Sequence, residues 1–335
     1  MIAFRTAVSS VFLVVLVCGS LTGCMAHSQG TKSKQMLTPP PSAQEKQATP
    51  SDSDSALRLA RLLCEQGGYE GALGVYAQLD KRGGMKPLEL LEYANIASLV
   101  SPPRETLSLF MRAEKALAEE MKKLPQEKKA ELYTGLGRAR MAVGQYDLAQ
   151  ANLEKALDAD PQSVAALNAL GVLLDTLGDH EAARKPLIQA NELDPADVRI
   201  LNNLALSYLS GNDPDQAIRL FNQARSLSDS PSLSLNMAFT FYLRGQEKRA
   251  RASLREFMPS EQCETFMGMF AKMQQRIDAG ESTISEEMLR ASGKLIAIHP
   301  PAKTNDVGAN VLGQDISDNS RAIGRGSAAR AKAQL

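Results

Sequence analysis

Tryptophan is missing from this 335-residue chain, histidine occurs 3 times, and aromatic residues make up 5% of it. Packing therefore falls to the abundant Ala and Leu, small or unbranched side chains that suit a helical array. A charge excess is missing too. Lys+Arg and Asp+Glu both number 38, without the clear basic surplus of a general nucleic-acid-binding protein. The 4 cysteines, Cys18, Cys24, Cys64 and Cys263, form no CxxC and no metal knuckle, so no zinc site is expected. Catalytic signatures are equally scarce: there is no GxxxxGK(S/T), no HExxH, no GxSxG and no Gly-rich strand–helix junction. His27, His180 and His299 are scattered. His180 lies at a repeat turn beside Glu181, and neighbours at a helix start point apart, which argues against an acid–base pair. The expectation is a protein that is not an enzyme, with no cofactor, no metal and no small-molecule substrate.

What the chain does have is an internal echo. Tyr133, Leu136, Gly137, Gly144, Ala149, Leu153, Ala156 and Pro161 recur 34 residues later as Leu167, Leu170, Gly171, Gly178, Ala183, Leu187, Ala190 and Pro195. Apolar positions at helical spacing form one face of each helix. Gly137/Gly171 and Ala149/Ala183 sit where the first helix of a unit crosses the second. Gly144/Gly178 end the first helix and Pro161/Pro195 stop the second. This period and order resemble the tetratricopeptide repeat. Weaker copies start near Ser53 and Pro87, where Ser101-Pro102-Pro103 replaces the glycine turn. Ala113 to Lys129 reads as a lengthened second helix broken by Pro125. Downstream, one unit turns at Gly211-Asn212-Asp213-Pro214, with Asp213 as N-cap, and another runs from Met237 to Phe257. The expected fold is all-α, a right-handed superhelical tetratricopeptide-repeat solenoid of about six helix-turn-helix units with flexible termini. A Met-rich helix, Glu264 to Ala279, follows; it either caps the last unit or offers an adaptable partner surface.

The ends read differently. Residues 1–23 form a signal segment, with Arg5, an apolar run Val11–Val17 too short for a comfortable membrane span, and Leu21-Thr22-Gly23-Cys24. That last run resembles the bacterial lipobox, which implies an acylated Cys24 as the mature N-terminus. Met25 after it implies sorting to the outer membrane, lipid-anchored and facing the periplasm. Residues 24–52 read as a flexible tether, 53–264 as the solenoid, 265–298 as the capping helix with a short helical segment, and 299–335 as a disordered basic tail. Cys64 and Cys263 fall in opposite end units and read as separate thiols, with an intermolecular bridge left open.

In such an array the first helices of the units line a concave groove. The helix period puts Glu131, Thr134, Arg138 and Met141 there, followed by Ala165, Asn168, Val172 and Asp175. Arg199, Asn202, Leu206, Leu209, Ser232, Leu235, Phe239 and Tyr242 continue the face, with Asn203 and Asn236 at its edge. The asparagines either hold a partner's backbone or bond between adjacent units. Leu235, Phe239 and Tyr242 read as an anchoring pocket, open enough that Phe239→Ala with Tyr242→Ala would weaken partner capture without unfolding the array.

The repeat sequences Ala166–His180, Leu201–Ser207 and Leu235–Ala238 are similar to the TadD family, tetratricopeptide-repeat lipoproteins of the tight-adherence (Flp) pilus assembly system. The resemblance covers roughly residues 130 to 258. It implies a scaffold that binds protein partners of the pilus secretion apparatus, such as its secretin, with membrane attachment through Cys24 and no nucleic acid. The alternative is another periplasmic lipoprotein of the same repeat: a type IV pilus pilotin, an outer-membrane assembly factor or an adaptor for peptidoglycan enzymes.

Overall fold

The structure is a computed structural model that describes residues 50–288 and 290–291. Cys24, the signal segment, most of the tether, His27, His299 and the basic tail lie outside the described residues. The chain forms antiparallel helix pairs in sequence order. They are α1 (Pro50–Glu65) with α2 (Tyr69–Arg82), α3 (Pro87–Val100) with α4 (Pro103–Leu117), and α5 (Gln126–Ala142) with α6 (Tyr146–Ala159). Then come α7 (Val164–Thr176) with α8 (His180–Leu193), α9 (Val198–Ser210) with α10 (Pro214–Leu227), and α11 (Pro231–Leu243) with α12 (Glu247–Arg255). A single helix α13 (Ser260–Asp278) follows. Each helix packs on its partner and on the next pair, and first helices also meet across units, α3 on α5 and α5 on α7. This is a tetratricopeptide-like solenoid with no strand among the described residues.

The turns explain the regularity. At the end of α7, Asp179 N–H bonds Leu174 O at 3.0 Å and Gly178 N–H bonds Asp175 O at 3.1 Å, the two bonds of a Schellman motif. That motif needs a left-handed residue, and Gly178 supplies it at φ +88°. The same bond pair closes α5 at Gly144 and α11 at Gly245. At the end of α9 it is Asn212, at φ +63°, that takes the left-handed position, while Gly211 stays at φ −80°. A Cβ on Gly211 would lie 2.4 Å from Arg184 Nη1, the tip of a flexible side chain that can move aside. Helix starts use short acceptors. Asp179, Asp197 and Asp213 cap α8, α9 and α10 through side-chain bonds to backbone N–H groups, and Pro occupies the first turn of α10 and α11.

Helix crossings rest on the paired glycines. An added Cβ on Gly137 would sit 2.6 Å from Leu153 Cγ, and one on Gly171 would sit 2.4 Å from Leu187 Cγ. The helices of these two units therefore approach as closely as glycine allows. Bidentate ion pairs join neighbouring units at the N-terminal end: Arg61 with Glu92, which also accepts from the Tyr76 hydroxyl, and Arg112 with Asp80. One expectation needs correction. The second helix of unit two is not lengthened: α4 stops at Leu117, and residues 118–123 are turns before Pro125 leads into α5. Leu117 and Leu124 are both buried, which anchors the turn on either side.

Candidate functional site

The asparagines projected onto the groove form a ladder. Asn236 Nδ2 donates to Asn202 Oδ1 at 2.6 Å, Asn202 Nδ2 to Asn203 Oδ1 at 3.5 Å, and Asn203 Nδ2 to Asn168 Oδ1 at 3.0 Å. The row ties α11 to α9 and α9 to α7. The structure thus places Asn168, Asn202, Asn203 and Asn236 in bonds between units, one of the two roles open to them. At the ladder's end Asn236, only 4% exposed, has a buried Oδ1 without a partner. Such an orphan costs about 1–3 kcal/mol, which the surrounding packing offsets.

Leu235 and Phe239 do not face an open groove. Both are fully buried at 0% exposure, and Tyr242 is half-buried. The reason is α13. Its Phe270 ring lies 5.1 Å from Phe239 and 5.7 Å from Tyr242, tilted against both. The expected aromatic pocket is filled by the chain itself. The Met stripe has the same fate: Met267 and Met273 are buried in the cluster around α11, so α13 acts as a cap. A sequence signal existed in Phe266, Met267, Phe270 and Met273, an apolar stripe in need of a partner.

An open site lies further toward the N-terminus. A cavity of about 270 Å³ sits between α3, α5 and α7. Phe110, Ala130, Ala139, Met141 and Ala142 give it apolar walls, and Asn95, Glu131, Thr134 and Arg138 give it polar ones. Asn95 Nδ2 and Lys128 Nζ both donate to the Glu131 carboxylate. Thr134 is 5% exposed, and its Oγ1 is buried without a hydrogen-bond partner. Gly135 makes the cavity floor. A Cβ there would fall 2.1 Å from Phe110 Cε1, so only glycine lets the Phe110 ring lie across α5. Sequence reasoning passed over Gly135. Its signal was a second glycine in α5 where the echo, 34 residues on, has Ala169.

Beyond α13 the chain turns at Gly280, φ +68°, and residues 284–288 form a short helix. Thr283 and Glu286 cap it reciprocally: Glu286 N–H donates to Thr283 Oγ1, and Thr283 N–H donates to the Glu286 carboxylate. Ser285 Oγ donates to Asp175 Oδ2 of α7 at 2.9 Å and lies 3.4 Å from Ser210 Oγ of α9. Asp175 also pairs with His180 Nδ1 at 2.6 Å, so His180 works with Asp175 and not with Glu181. Glu287 is wholly buried. Burial alone would raise its pKa, but bonds from Arg276 outweigh that and hold the carboxyl below its usual range. Cys64 and Cys263 are free thiols, and no group of residues suited to a metal ion occurs among the described residues. No helix among them is long and apolar enough to cross a membrane.

Residues 134–198 match the family model described as tetratricopeptide repeat, the stretch from mid-α5 to the start of α9. No curated protein matches the chain. Among solved structures, TTC0263, a tetratricopeptide protein of Thermus thermophilus, is 21% identical over 57% of this chain and 99% of its own, with TM-score 0.48. YrrB, described as a tetratricopeptide protein with an unusual peptide-binding site, is 18% identical over 56% and 94%, with TM-score 0.40. MamA from Desulfovibrio magneticus RS-1 is 18% identical over 53% and 97%, with TM-score 0.41.

Proposed function

We propose that this chain is a protein-binding scaffold that grips a partner segment in the cavity between α3, α5 and α7, and that it serves assembly of a pilus secretion apparatus at the outer membrane. One observation supports the gripping site above all: a cavity on the first-helix face whose floor requires Gly135 and whose apolar walls carry Asn95, Glu131 and Arg138. Apolar walls with a few fixed polar groups suit a peptide side chain and its backbone. The pilus reading rests on the repeat resemblance and on Leu21-Thr22-Gly23-Cys24. The alternatives, a type IV pilus pilotin, an outer-membrane assembly factor or an adaptor for peptidoglycan enzymes, share the anchor and differ in the partner.

Ala165 gives a clean test of the cavity, because it lines the site yet is exposed. Ala165→Arg should leave the unfolding midpoint within the ~0.5 kcal/mol typical of surface changes. It should cut the secretin co-purified from membranes at least about tenfold, as loss of an anchoring contact predicts. Unchanged secretin recovery would remove the cavity from the site. No secretin with the wild type would remove the pilus reading. For the anchor, Cys24→Ser should abolish acylation and shift the protein out of the outer-membrane fraction; an acylated, membrane-bound variant would count against lipidation at Cys24.

A further inference from the structure

α11 is buried without interruption from Leu233 to Phe241. A helix lining an open groove keeps one stripe in solvent, so the groove is occupied at this unit. Phe270 accounts for part of the cover. The rest points to residues 282–288, with 290 and 291: Met288 and Ala291 are buried in the same apolar cluster as Leu209, Leu235 and Phe239. Leu209 was projected onto the groove face and is only 3% exposed. From there the segment reaches back across the array. Ser285 meets Asp175 and Ser210, and the Glu286 carboxylate lies near enough to add to burial in raising the Tyr146 phenol. A repeat array is otherwise built from neighbour contacts, and the Ser285–Asp175 bond joins residues 110 apart. The segment also carries its own caps and follows a glycine turn, which fix where its helix begins.

We infer that residues 282–288, with 290 and 291, are a resident ligand of the C-terminal half of the groove, and that an outside partner taken up there is a short helix of the same chemistry. That helix has a Ser/Thr N-cap, a carboxylate to meet Arg276 and a buried apolar residue at the place of Met288. This rests on reading the first-helix face as the partner-binding face, and adds that its two halves differ: the α3–α5–α7 cavity is open and the α9–α11 face is self-occupied. Uptake at the second face requires the resident helix to leave. Ser285 and Ser210 are half-buried, so water can replace the contact between them, and Asp175 keeps His180 as a partner when the segment leaves.

The probe is a labelled peptide copying residues 280–292, added to the full-length chain. Wild type should bind it weakly. Ser285→Ala combined with Met288→Ala loosens the resident copy and should raise affinity at least tenfold by fluorescence anisotropy, with a scrambled peptide binding neither protein. If the double variant loses helical signal, Ser285→Ala alone is used, with a smaller gain in the same direction. In wild-type hydrogen exchange, the amides of 284–288 should exchange at least tenfold faster than those of α13. Equal peptide affinity for both proteins, or exchange of 284–288 only together with α13, would make the segment a fixed part of the core and overturn the inference. No outside partner enters these measurements. Their failure with Ala165-dependent secretin capture intact would leave the proposed function standing.

Discussion

Phe239→Ala is expected to lower stability by about 3–5 kcal/mol, the range for deleting a fully buried phenylalanine. The ring is at 0% exposure and packs against Phe270 at 5.1 Å, and such a tilted aromatic pair adds about 0.5–1.5 kcal/mol beyond the area it buries. The site cannot collapse easily, because α11 is enclosed on all sides from Leu233 to Phe241 and neighbours are already in contact. Tyr242→Ala should cost less, about 1–2 kcal/mol, since that ring is half-buried. Urea unfolding followed by circular dichroism would measure both. A Phe239→Ala protein with an unchanged midpoint and lost partner binding would restore the open pocket read from the sequence; a large drop in midpoint places the residue in the core.

Gly171→Ala should destabilise, although alanine is the better helix former by about 1 kcal/mol. The new Cβ would lie 2.4 and 2.8 Å from Leu187 Cγ and Cδ2, and 3.1 Å from Ala183 O. Leu187 can turn aside only into a filled core, and the Ala183 carbonyl is backbone, so α7 and α8 must part. Overpacking of this kind costs about 1–3 kcal/mol, which exceeds the propensity gain over most of that range. Gly268→Ala is the matched control. It too lies inside a helix, α13, but a Cβ there meets nothing within 4 Å. It should stabilise by about 0.5–1 kcal/mol. Opposite signs from the same substitution would show that helix approach, not backbone freedom, fixes glycine at 171.

Much of the fold was legible because one geometric demand recurs. Gly137, Gly144, Gly171 and Gly178 each answer a requirement that only a small or left-handed residue meets, and those requirements return every unit. Where another residue meets the demand the echo is fainter: Asn212, 34 residues after Gly178, takes the left-handed position after α9. The site was less legible because exposure is not a property of one helix. Periodicity put Leu235 and Phe239 on the first-helix face, and they are on it; what covers them is a helix about 30 residues further along the chain. No local pattern distinguishes a groove-lining stripe from a covered one. The cavity was hidden for the same reason, since Gly135 matters only through Phe110 of the preceding unit.

The Ser285–Asp175 bond changes how the array comes apart. A chain of units that touch only their neighbours can fray from either end, one unit at a time. Here the segment after α13 is looped back onto α7, so while it stays docked α9 through α13 lie inside a closed contour. At the other end α1 leaves Leu59 and Leu62 about half exposed and has no returning segment among the described residues. While the segment is docked, fraying is expected to be easier at α1 than in the C-terminal block. A partner that displaced the segment would cut the contour and make the two ends alike.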